Sequence, residues 1–93
     1  MAKDKVQKHV FLSGRVQGVG FRAFTRKQAS SLGINGWVKN LADGRVEIKI
    51  EGAPNSVKQM IKRVKDGPSF ARVEDIEIND EEAEGFNNFE IRF

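Results

Sequence analysis

At 93 residues with 39% hydrophobic content, the chain has material for one core and no second. It contains no cysteine, which excludes a disulfide framework, thiolate metal sites and cysteine nucleophiles, and makes a reducing cytoplasm the expected home. Its net charge of +3 comes from basic residues scattered along the chain, the pattern of a solvated surface rather than a nucleic-acid patch, and no run reaches the roughly 18 apolar residues of a membrane span.

The charged start, residues 1–10, lacks the apolar run of a signal peptide, so export is not expected. The first predicted element is a strand over 6–14, where Val6, Val10 and Leu12 alternate against Phe11 and Ser13. A helix follows, because Phe21, Phe24, Gln28, Ala29 and Leu32 form one helical stripe and Gly33 supplies its stop. Residues 34–40 read as a second strand and 45–51 as a third, with Asp43-Gly44 between them as a hairpin signal. Pro54 fits the first position of a second helix carried by Val57, Met60, Ile61 and Val64 and ended by Asp66-Gly67-Pro68. Val73 to Ile78 predicts a fourth strand whose alternation slips between Val73 and Ile76, so that its start is either displaced or bulged. After a polar connection at 79–88, Phe89, Ile91 and Phe93 alternate with Glu90 and Arg92 as a short last strand.

This order predicts an α+β, ferredoxin-like α/β sandwich: βαββαβ plus a short C-terminal strand, with two helices on one face of an antiparallel sheet, residues 1–93 forming a single domain. In that topology the turn after the first strand and the end of the second lie at the same end of the sheet. With the third strand between them, they stand about two strand spacings, roughly 10 Å, apart.

The turn in question is Gly14 to Arg22, which places three glycines between a strand and a helix. Glycines at 14, 18 and 20 allow successive N–H groups to turn toward the helix mouth, where unsatisfied donors and the positive dipole end already lie. Arg22 adds a planar, permanently charged fork in the first helical turn. A phosphate or carboxylate is the expected guest, and Asn40, at the end of the second strand, can face it across the gap.

The segments GRVQGVGFR at 14–22 and GWVKNLADGRVE at 36–47 resemble the two signature blocks of the acylphosphatases, and the resemblance covers nearly the whole chain. It implies a metal-free, cofactor-free enzyme that hydrolyses the carboxyl-phosphate bond of small acyl phosphates and releases inorganic phosphate. Carried over by position, Arg22 is the phosphate-binding arginine and Asn40 the residue that positions the attacking water. The phosphate cradle is then Arg15, Val16, Gln17, Gly18, Val19, Gly20 and Phe21, completed by Arg22. A monomer without nucleic-acid or membrane partners is expected. The chemistry suits this residue set, since a carboxylate leaving group needs no strong general acid and the two blocks offer no obvious general base.

Blander readings accompany these. Asn40 could simply begin a hairpin turn, Gly14 and Gly20 could serve packing or the turn itself, and Arg15 could be a rim residue. His9, without a second ligand or base beside it, and Trp37 and the phenylalanines read as structural. Among other functions, Gly18 to Ala23 formally matches a loose dinucleotide fingerprint, but the chain is too short for a doubly wound fold. No Gly-Lys-Ser/Thr completes a P-loop. An RNA-binding sheet would need aromatics on its central strands, and residues 45–51 carry none. A regulatory or maturation-factor domain bearing the same two blocks is the remaining alternative.

Overall fold

A computed structural model describes residues 5–93; Met1 to Asp4, part of the segment read above as lacking a signal peptide, lie outside the described residues. In chain order the elements are β1 (Val6–Arg15), α1 (Phe21–Leu32), β2 (Asn35–Asn40), β3 (Val46–Gly52), α2 (Pro54–Asp66), β4 (Arg72–Glu81) and β5 (Phe89–Arg92). They assemble into a sheet of order β4-β1-β3-β2-β5 with both helices against one face.

Alternation decides which residues meet the helices. Val10 and Leu12 of β1, Val38 of β2, and Val46, Ile48 and Ile50 of β3 are buried against Phe21 and Ala29 of α1 and Val57, Met60 and Val64 of α2. Each of the larger of these side chains contributes about 1.5–3 kcal/mol on leaving water. The two helices are also tied to each other by Arg63 Nη1, which donates to Gln28 Oε1 at 2.8 Å. α1 ends where Gly33 turns left-handed, at φ 70, and α2 opens on Pro54, as their sequences predict.

The predicted antiparallel sheet needs one correction, because β5 pairs parallel to β2 and the sheet is mixed. The reason is the route of the chain. β4 finishes at the end of the sheet opposite the glycine turn, and the 82–88 connection crosses there to the far edge, so β5 must run in the same direction as β2. β4 is also longer than predicted, because Gln7, Lys8 and His9 offer backbone partners to Glu81, Asp80 and Asn79.

The slip in β4 alternation is a bulge. Ser13 pairs with Asp75 and Gly14 with Val73, leaving Glu74 as the extra residue. Here Gly14 is needed for close approach, since a side chain would overlap the Arg72 carbonyl and the Glu74 amide. The bulge lies at the strand end that feeds the glycine turn.

Candidate active site

Residues 16–20 connect β1 to α1, and Gly20 caps the helix in the left-handed region at φ 80. No side chain caps this end, and the first turn of α1 contains no acidic residue. The N–H groups of Phe21, Arg22 and Ala23 precede the first intrahelical bond, from Phe24 N–H to the Gly20 carbonyl, and those of Gln17, Gly18, Val19 and Gly20 find no backbone acceptor among the described residues. The outcome is a run of free donors at the positive end of a twelve-residue helix.

A cavity of about 230 Å³ opens over this turn, lined by Val16, Gly18, Gly20, Phe21, Arg22, Ala23, Asn40, Ile91 and Phe93. Its volume lies below the roughly 300–1,000 Å³ of sites that enclose drug-sized ligands, which suits a small anion with part of its substituent. Among the described residues the lining holds one charged side chain, Arg22, and no Asp, Glu, His or Cys. Arg22 forms no ion pair among the described residues; its guanidinium lies 4.6 Å from the centre of the Phe93 ring. A strong hydrogen-bonding fork is thus left for a ligand.

Asn40 enters from the last position of β2 and, with β3 between, faces the turn as the topology predicts. Its Oδ1 is buried and accepts no hydrogen bond among the described residues. A buried, unsatisfied acceptor costs about 1–3 kcal/mol, so an orphan at this point marks a place where a donor is wanted.

The other candidate residues divide by where they point. Val16 and Phe21 form the apolar floor, and both are fully buried. Gln17 lies outside the cavity lining, with Nε2 donating to the carbonyls of Leu41 and Arg45 at 2.8 and 2.9 Å. This clamps the glycine turn to the β2–β3 hairpin and fixes Asn40 against it. Val19 packs on the core, and Arg15 is exposed at the end of β1, outside the lining.

The hairpin has its own support: the backbone N–H of Arg45 donates to Asp43 and holds that carboxyl below the usual range, while the Arg45 side chain pairs with Asp43 at 2.9 Å and lies over Phe11. His9 sits on the sheet face away from the helices, bonded to Glu47 at 2.6 Å and Glu81 at 3.1 Å, and takes no part in the cavity. Three lining residues were not among the candidate site residues, Ala23, Ile91 and Phe93. The alternation of the last two predicts a strand but not which edge of the sheet it occupies.

Fold and cavity together define a ferredoxin-like α+β protein with a set of open N–H donors at a strand–turn–helix junction. The acylphosphatase family model matches residues 8–91. The chain is 49% identical over 87 residues to an acylphosphatase of Trichormus variabilis, covering 94% of this chain and 86% of that protein. It is 49% identical over 85 residues to one of Haloarcula marismortui, covering 91% and 93%. The crystal structure of acylphosphatase from Bacillus subtilis superposes with a TM-score of 0.92 at 42% identity, covering 95% of this chain and 99% of that one. This chain belongs to the acylphosphatase family and is a hydrolase of that type. Among the described residues, no helix is long and apolar enough to cross a membrane.

Proposed function

We propose that the protein hydrolyses small acyl phosphates by in-line attack of a water held by Asn40 on a phosphoryl group held by Arg22 and the free amides of the glycine turn. The observation that carries this reading is the orphaned Oδ1 of Asn40, buried in the same cavity as Arg22 and the open end of α1. The phosphoryl oxygens take the backbone N–H groups and the arginine fork, which are already in place and oppose the charge that grows in the transition state. Oδ1 accepts a hydrogen bond from water and so aims its lone pair at phosphorus. The new bond joins water oxygen to phosphorus, and the bond from phosphorus to the acyl oxygen breaks.

The leaving group is a carboxylate of low basicity, so it departs without a strong acid. An amide cannot take the proton of the attacking water at neutral pH, so that proton passes to a phosphoryl oxygen. The products are a carboxylate and inorganic phosphate, and no step calls for a metal or cofactor. The RNA-binding reading finds less support, since on the free sheet face Phe11 and Trp37 already carry the guanidinium groups of Arg45 and Arg92 over their rings at 4.9 and 4.8 Å. A monomer in a reducing cytoplasm fits the cysteine-free composition.

The test is a hydrolysis assay with chelator present, on benzoyl phosphate beside a phosphate monoester. Turnover of the first and not the second is expected. Equal turnover of both, or dependence on added metal, would overturn the reading.

A further inference from the structure

The lining of the cavity is divided. Donors come from the glycine turn, the start of α1 and Arg22, whereas the side toward β5 is Ile91 and Phe93. Ile91 is half-buried on the face of β5 that meets α1, and Phe93 follows two residues on, at the end of the sheet that carries Asn40 and Arg22. Phe93 is 97% exposed, and the Arg22 guanidinium lies against its ring. Phe70 is also exposed but does not line the cavity, so exposure alone does not single out Phe93.

A phosphoryl group bound to the donors leaves its acyl substituent to occupy what remains. The remaining walls carry no charged side chain that would recognise a charged substituent, and the cavity is too small to enclose a large one. An acyl group would therefore leave the cavity along Ile91 and over the rim at Phe93. One face of that ring lies toward Arg22, and the rest is accessible to a substituent arriving from solvent.

The geometry points to Phe93, backed by Ile91, as the acyl-side wall that selects substrates with an apolar or aromatic acyl group over small ones. This rests on the acyl phosphate reading above and deepens it by naming the substrate class. A ring meeting a ring gains a specific contact beyond burial, whereas a methyl group gains little. Charged acyl groups would be disfavoured, because the wall offers them no partner.

The test compares kcat/KM for benzoyl phosphate and acetyl phosphate in the parent protein, Phe93→Ala and Phe93→Leu, with competition by inorganic phosphate measured on each. In Phe93→Ala the benzoyl-to-acetyl ratio is expected to fall by roughly three- to tenfold, mostly through a higher KM for benzoyl phosphate. Phe93→Leu, which keeps an apolar wall, should recover part of the ratio. An unchanged ratio in Phe93→Ala would overturn the proposal, whether both substrates keep their rates or both fall together with phosphate affinity; the latter result would make Phe93 a support for Arg22. If the parent protein hydrolyses neither acyl phosphate, the functional reading itself fails, and that outcome is distinct from a flat ratio.

Discussion

Backbone N–H groups are left without backbone partners at both ends of the sheet, and the two ends deal with them oppositely. At one end, the Glu84, Gly85 and Phe86 amides donate to the carboxylate of Glu51 over 2.7–3.2 Å, and Glu51 is only 1% exposed. At the other, the glycine turn and first turn of α1 have no internal carboxylate, and the nearest charged group is a cation, Arg22. The same chemical appetite is satisfied from within in one place and left for a guest in the other. An internal anion makes a structural joint; an open set of donors is what the proposed binding site requires.

The contrast is broken most severely at Arg22. Arg22→Ala removes a preorganised donor and its charge, and Arg22→Lys removes the bidentate fork, so kcat/KM should fall by roughly 100- to 1,000-fold, with weaker competition by inorganic phosphate. The thermal midpoint should stay close to that of the parent, because the guanidinium has no ion pair among the described residues. Near-normal kcat/KM in the lysine variant would remove Arg22 from the site.

On the proposed reading, in which the lost hydrogen bond orients water in the transition state, Asn40→Ala should lower kcat and kcat/KM about equally, by roughly 100-fold, while phosphate affinity stays nearly unchanged. A turn-forming role predicts the reverse. A destabilised variant with normal kcat per folded molecule would sink the water-positioning assignment. Measuring thermal midpoint, phosphate competition and kcat on one preparation separates the two.

Glu51→Ala probes the closed end. It leaves three part-buried N–H donors without their acceptor, which should cost about 2 kcal/mol, or on the order of 10 °C in thermal midpoint for a domain of this size. Turnover per folded molecule at temperatures well below the transition should change by no more than about twofold. Loss of activity matching that of Asn40→Ala, with stability intact, would erase the distinction between the ends.

The smallest effect is one of pH. Lys49 Nζ lies 3.0 Å from Glu81 and 2.8 Å from Glu84, and its hydrogen bonds hold both carboxyls below their ordinary range. In the folded state these groups bind protons more weakly than in the unfolded chain. Their contribution is therefore present above the ordinary carboxylate range and lost as pH falls through the lowered folded-state values. Between about pH 5 and about pH 3 the thermal midpoint should drop slightly more in the parent than in Lys49→Gln, the gap being small because the carboxylates face solvent and are screened. Identical pH profiles would show that the cluster contributes nothing.

The chain by itself determined everything that depends on neighbours a few residues apart. Alternating apolar residues in β1 and β3, the stripe from Phe21 to Leu32, the helix stops at Gly33 and Gly67 and the hairpin at Asp43-Gly44 are local statements, because strand and helix periods repeat over two to four positions. The glycine turn was legible for the same reason, as was its place at a helix mouth. Asn40 is the intermediate case: alone it reads as a turn former, and only its pairing with the turn at 14–22 sets it opposite Arg22.

What the tertiary structure decided are the contacts across long separations. Glu51 reaching Glu84 to Phe86, Gln17 reaching Leu41 and Arg45, and Phe93 arriving over Arg22 each join segments that share no sequence period. They follow from sheet order, and above all from the crossing that sends β5 parallel to β2. A polar connection such as 82–88 carries no repeating pattern to announce its route, since its amides are satisfied by one distant carboxylate rather than by a ladder, and that single contact exists only once the sheet has formed.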